Sequence, residues 1–171
     1  MISKKMEEAI NAQIVMEGYA SNYYLSAASF CDHNGLPGIA SFLYTHADEE
    51  RMHMMKLFHY VNDCGGHALA PALQQPPLQF GSVLELFEAI LIHEGKVTAA
   101  INNLVDISFQ EKDFGTMNFL QWFIAEQHEE ETLFRGIIDK IKLLGNDPKA
   151  NYYIDRELGG RKPEAAEAEA K

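Results

Sequence analysis

Glu50 and His53 stand three positions apart in a segment with helical patterning, so a carboxylate and an imidazole lie one turn apart on one face and reach the same point in space. That spacing suits the holding of a metal ion. Alone it is a weak signal, because Glu and His at this interval also form modest pairs on solvated helix faces. The neighbours change its meaning. At alternating steps of four and three the segment gives Ile39, Leu43, His46, Glu50, His53, Leu57, Tyr60 and Cys64, apolar at both ends and polar in the middle. Such a seam faces a core, where a Glu or His costs on the order of several kcal/mol unless it is paired or coordinates a metal.

Three further segments repeat the pattern. A first helix is expected over about 4–32, ended by His33-Asn34-Gly35-Leu36-Pro37, with the stripe Met6, Ile10, Gln13, Glu17, Ala20, Tyr24, Ala27 and Cys31. Glu17 is its central break, and Tyr24 lies two turns further along on nearly the same face. The second helix, about 38–64, is the one that carries Glu50 and ends at Gly65-Gly66. A third, about 82–112, opens on the capping-box pair Ser82 and Glu85 and breaks at Glu94 within Val83, Phe87, Ile90, Val97, Ile101, Leu104 and Ser108. The fourth, about 116–144, follows a tight turn at Phe114-Gly115 and breaks at Gln127 and Glu130 within Leu120, Phe123, Phe134, Ile137, Ile141 and Leu144. Asn146-Asp147-Pro148 opens a short fifth helix to about 158, and 159–171 is expected to be a flexible tail.

Between the second and third helices, His67 to Gly81 contains Pro71, Pro76 and Pro77 and has neither helix nor convincing strand patterning. A connection of this length needs a structural reason. About 16 extended residues span on the order of 50 Å, and a helix of about 27 residues is roughly 40 Å long. The connection is long enough to cross a whole bundle and start the third helix parallel to the second. The expectation is an all-α four-helix bundle with a long crossover between helices 2 and 3 and a short fifth helix.

In such a bundle the middles of the four long helices share one height, which gathers Glu17, Glu50, His53, Glu94, Gln127 and Glu130 into one buried cluster. Four ionised carboxylates do not sit together without cations. A pair of divalent ions resolves the conflict, and oxygen ligands with a single nitrogen favour Fe, Mn or Mg over Zn or Cu. The competing reading, separate satisfied core polars or a stripe misplaced by one position, requires the breaks in all four helices to coincide by accident. His46 shares the seam, as an extra ligand or as a residue beside the ligands; His33, His59, His67, His93 and His128 lie off the stripes and are expected at the surface.

Bulk properties narrow the class. The 171 residues, 47% of them apolar, amount to roughly one domain with a real core. A formal charge of −11 argues against nucleic acid or an anionic membrane as partner and suits attraction of cations. No apolar run approaches membrane-spanning length, and the first residues lack a signal-peptide core, so a cytoplasmic location is expected. Cys31 and Cys64 form no CxxC pair and are read as reduced, mostly buried side chains.

On these residues the chain resembles the non-haem bacterial ferritins, over its length to about Leu158. The motifs are Glu17 with Tyr24, Glu49-Glu50 with His53, Glu94, and Phe119-Leu120-Gln121-Trp122 through Ala125-Glu126-Gln127-His128-Glu129-Glu130. The resemblance implies a ferroxidase centre in which Glu17, Glu50 and His53 bind a first iron, Glu50 bridges, and Glu94 and Glu130 hold a second with Gln127 beside it. It also implies a third iron position at Glu49, Glu126 and Glu129, sharing Glu130, and a role for Tyr24 as electron donor with Trp122 as a secondary one. The implied activity is oxidation of Fe(II) by O2 or H2O2 and storage of Fe(III) mineral in a homo-oligomeric shell of 24 subunits. Haem is not expected: Arg51 stands where a haem-ligating Met follows the bridging Glu, and Met52 comes one position late. The alternative function is a di-metal oxidase or peroxidase with the same ligands and no mineral. A purely structural bundle is a third reading, against which the retained ligand positions speak.

Overall fold

The structure, a computed structural model, describes residues 2–145 and 147–161. Its elements are α1 (Lys4–His33), α2 (Pro37–Asp63), α3 (Val83–Gln110), α4 (Phe114–Leu144) and α5 (Pro148–Gly159). It is an all-α, ferritin-like four-helix bundle with a short fifth helix. Most of the expected tail, from residue 162 onward, lies outside the described residues, as does Asn146.

The helix starts follow from side chains that satisfy the first free amides. Ser3 Oγ accepts from Met6 N at 3.0 Å, Ser82 Oγ from Glu85 N at 3.1 Å, and Asp147 Oδ1 from Ala150 N at 2.9 Å. Asp113 does the same for Thr116 N at 3.0 Å, and this cap corrects one boundary. The tight turn expected at Phe114-Gly115 lies one step earlier: Lys112 takes a left-handed φ of 56°, and Phe114 and Gly115 belong to the first turn of α4. The Asp113 carboxylate, and not the glycine, sets the start of α4.

Three residues join α1 to α2, and their proximity at both ends makes them antiparallel: Ile2 N donates to Cys64 O at 3.2 Å. The crossover is traced by its contacts along α1. Asn11 holds His67 O and Leu69 N at 3.0 and 2.8 Å, Leu73 lies over Gly18, Ser26 Oγ donates to Pro77 O at 2.6 Å, and Phe80 meets the Phe30 ring edge at 5.3 Å. Ascending loop numbers meet ascending α1 numbers, so the chain runs the length of α1 before α3 begins. That sets α3 parallel to α2, as the span of the connection requires.

Three stripes are buried as expected apart from the last position of α4, where Leu144 is exposed; the α2 stripe drifts. Beyond Leu57 it passes to Val61, leaving Tyr60 and Cys64 half-buried. The apolar core falls into two clusters. One joins Tyr23 to Cys31, Ile39 to Ala47, Val83 to Ile90 and Phe134 to Ile141 with α5; the other joins Met6 to Ile14, Met54 to Val61, Val97 to Ile107 and Leu120 to Phe123. The polar residues lie between them.

The start of α2 has Pro37 in its first turn and no capping side chain from its own N-cap, Leu36. Asp155 of α5 supplies the missing acceptor, its Oδ1 2.9 Å from Ile39 N. This contact requires Gly38: a Cβ there would fall 1.9 Å from Asp155 O, and Gly159 packs against the same Cα. We expect Gly38→Ala to cost about 1–3 kcal/mol through forced separation of α5 from α2, read as a lower Tm and earlier proteolysis after residue 145. An unchanged Tm would show that α5 does not bear on the bundle.

Candidate metal centre

Glu17, Glu50, His53, Glu94, Gln127 and Glu130 are all buried in one layer between the two apolar halves. Each arrives there for the same reason, a polar residue at a core position of an otherwise apolar stripe. His53 Nδ1 is 3.4 Å from Glu50 Oε2, one turn back on α2. Glu17, Glu50 and His53 each bring one ligand atom within 4.8 Å of the others, a spacing that fits one cation. Glu94 faces them from α3, with Tyr24 Oη donating to its Oε1 at 2.7 Å and Gln127 Nε2 donating to its Oε2 at 3.1 Å.

A second group of the same kind joins His46, Glu49 and Glu130. His46 is buried among the rings of Tyr24, Phe42 and Phe134. Its Nδ1 donates to Phe42 O at 2.9 Å, which leaves a lone pair on Nε2, 3.7 Å from Glu130 Oε2. Two acceptors thus face each other, an arrangement that a proton or a cation relieves. Burial pulls the His46 pKa down to about 4, so the ring itself is neutral near pH 7.

The other nominated residues take different places. Glu126 Oε2 lies 4.0 Å from His53 Nε2, and Glu49 Oε2 lies 3.9 Å from His46 Nδ1. Glu129 is exposed on α4 and joins neither close group. Trp122 meets the His53 ring edge at 5.1 Å, with Lys56 Nζ over its own face at 4.0 Å. Gln13 was legible in the α1 stripe but not singled out; it donates to Glu17 Oε1 at 2.8 Å. His93 corrects an expectation of surface exposure. It is half-buried, stacked on Tyr23 with centroids 5.5 Å apart and met by Tyr19, and burial lowers its pKa to about 4. Its neighbours come from α1, which a reading of α3 alone does not contain.

Electrostatics follow from crowding and burial. Glu17, Glu50 and Glu130 are held well above the usual carboxylate range, first by loss of water and then by neighbouring carboxylates. Glu94 is also raised by burial, with the Tyr24 and Gln127 hydrogen bonds opposing the rise. Glu17 Oε2 and Glu130 Oε2 are buried without a hydrogen-bond partner. Hard oxygen donors, one imidazole nitrogen from α2 and two orphaned oxygens form a donor set that fits divalent cations such as Fe(II).

The raised carboxylates destabilise the metal-free fold at neutral pH. With the folded pKa above the unfolded one, the native state binds more protons between them, so stability falls as pH rises through that interval and the penalty vanishes below the ordinary range near 4.5. We expect Glu50→Gln to raise the Tm of the metal-free protein at pH 7.5, by about 2–4 °C for each kcal/mol relieved, and the gain to shrink toward pH 4.5. A gain that persists at pH 4.5 would assign it to packing.

The family model described as Ferritin-like domain matches residues 7–144. The chain is 46% identical over 158 residues to a bacterial non-heme ferritin of Campylobacter jejuni, with 92% of this chain and 95% of that one covered. It is 44% identical over 159 residues to a probable bacterial non-heme ferritin-like protein of Haemophilus influenzae, covering 93% and 96%. Among solved structures, the open pore ferritin of Archaeoglobus fulgidus superposes with a TM-score of 0.92 at 44% identity, over 95% of this chain and all of that one. With a matching family model over most of its length and relatives this close, the chain belongs to the ferritin family.

Proposed function

We propose that this chain is the subunit of an iron-storing ferroxidase: it binds Fe(II) in the buried layer, oxidises it with O2 or H2O2, and keeps the Fe(III) as mineral inside a cytoplasmic shell of 24 copies. The observation that carries this reading is the layer itself, four buried carboxylates and an imidazole with two carboxylate oxygens unsatisfied. The names of the bacterial and archaeal relatives support it, and among the described residues no helix is long and apolar enough to cross a membrane.

Iron is the substrate here. Glu17, Glu50 and His53 hold one Fe(II), Glu94 and Glu130 the other, with Glu50 between them and Gln127 alongside. Each iron gives one electron, so the pair supplies the two that reduce O2 to H2O2, with two protons taken up: 2 Fe(II) + O2 + 2 H⁺ → 2 Fe(III) + H2O2. Burial raises the Glu17 and Glu130 carboxyl pKa values, so cation binding there competes with protons and releases any that are bound. Tyr24 stays protonated, its phenol pKa driven up by burial and by Glu94, and holds Glu94 in place while standing ready as an electron source. Glu49, Glu126 and Glu129 serve a third iron position beside the layer, with Glu130 shared.

Stepwise addition of Fe(II) in air to the purified apoprotein tests the storage reading. Retention far above three irons per chain, co-eluting with a large particle, is the expected result. Saturation at two or three irons on a small particle would sink storage and favour a di-metal oxidase without mineral.

Loss of a ligand tests the centre itself. Glu50→Ala and His53→Ala are each expected to slow the initial rate of Fe(II) oxidation by at least about tenfold, since even a residue that only orients a ligand is worth 10–100-fold. Stopped-flow absorbance of the apoprotein mixed with two Fe(II) per chain reads this directly. Rates within twofold of the unsubstituted protein would place the oxidation elsewhere.

A further inference from the structure

Gln127 reaches the layer from α4, and the direction of its amide is set both by Glu94 within the layer and by Thr98 outside it. Its Nε2 lies 3.1 Å from Glu94 Oε2, 3.4 Å from Glu94 O and 3.3 Å from Thr98 Oγ1. Thr98 has a single hydroxyl proton, and it goes to Glu131 Oε1 at 2.7 Å. The other oxygen of Glu131 accepts from Arg135 Nη1 at 3.0 Å. An ionised carboxylate accepts and never donates, so Thr98 is committed outward and offers Gln127 only a lone pair.

A side-chain amide has two nearly isosteric orientations, and its partners decide between them. With an acceptor-only Thr98 on one side and two Glu94 oxygens on the other, the NH2 end must face α3 and the carbonyl end must turn away from Glu94. The Thr98–Glu131 bond reinforces this orientation, by making the third contact of Nε2 an acceptor as well. A cleft of about 300 Å³ between α3 and α4 reaches Thr98, Asn102, Gln127, His128 and Glu131, and water entering it can donate to or accept from a hydroxyl with equal ease. The carboxylate removes that ambiguity.

We propose that Thr98 and Glu131 are positioning residues, which fix the direction of the Gln127 amide and through it the orientation of Glu94, and so set the affinity of the metal position that Glu94 serves. Neither residue lies in the polar layer. The assignment rests on reading that layer as a di-metal centre, and it adds a control line running from the cleft to one of the two positions.

The test uses Zn(II), a redox-inert probe, titrated calorimetrically into the assembled apoprotein. The unsubstituted protein is expected to bind two zinc ions per chain in two affinity classes, both lost or merged in Glu50→Ala. Thr98→Val is expected to weaken one class by about tenfold, the low end for a partner that orients a metal ligand, and to leave the other within about twofold. Thr98→Ser, which keeps the hydroxyl, is expected to restore the affinity. Glu131→Ala, a change at a partly exposed position that leaves the core untouched, removes the acceptor that Thr98 donates to and leaves its hydroxyl to water, and is expected to weaken the same class. Unchanged affinities in Thr98→Val and Glu131→Ala, a Ser variant as weak as Val, or an equal fall of both classes would overturn the assignment. Zinc binding that Glu50→Ala leaves intact would instead overturn the di-metal reading, a distinguishable failure.

Discussion

Everything in this fold answers to one constraint: four carboxylates occupy a single layer of a protein core. Left ionised and unpaired they would repel one another in a medium that screens poorly. The bundle accommodates them by dividing its apolar core in two, one half above the layer and one below. The helices therefore have to be long. Apolar stripe on each side of the layer holds together a bundle whose middle contributes little hydrophobic stabilisation and, without metal, opposes folding.

Most of this was legible in the sequence because the layer and the core share one periodicity. A Glu in an Ile/Leu/Phe stripe is conspicuous, and four such breaks at the middles of four helices point to one another without any knowledge of the tertiary contacts. Glu17, Glu50, His53, Glu94, Gln127 and Glu130 all came from that signal, and all six are buried together. The crossover followed from length alone. The sequence was less informative where a residue's setting is decided by another helix. His93 is off the α3 stripe, but two tyrosines of α1 cover it. Asp155 is an ordinary surface residue in α5 until Ile39 N is found to lack an acceptor. Thr98 and Glu131 carry no periodic mark, because what matters about them is the direction of a single proton.

The boundaries show the same division. Ser3, Ser82 and Asp147 act on amides within three residues, so their caps are local chemistry, and the openings at Ser82 and at Asn146-Asp147-Pro148 were readable as such. The turn before α4 was displaced because Asp113 and Gly115 both signal a boundary, and the aspartate cap prevailed with Lys112 taking the left-handed conformation in place of a glycine. A φ of 56° at Lys112 is tolerable for one residue in a tight turn, where the cap and the packing of α4 offset its cost.

Within the layer the satisfied and unsatisfied atoms are not evenly shared, and the imbalance indicates how the site meets a cation. Glu94 has both oxygens engaged, one by Tyr24 and one by Gln127, so its position is set before any ligand arrives. Glu17 has one oxygen held by Gln13 and one orphaned, and Glu130 has an orphaned oxygen turned toward the lone pair of His46. An orphaned buried acceptor is costly, and a cation removes that cost more completely than any neutral donor could. An incoming cation therefore finds its uncompensated oxygens on Glu17 and Glu130, while Glu94 is already held in place by Tyr24 and Gln127.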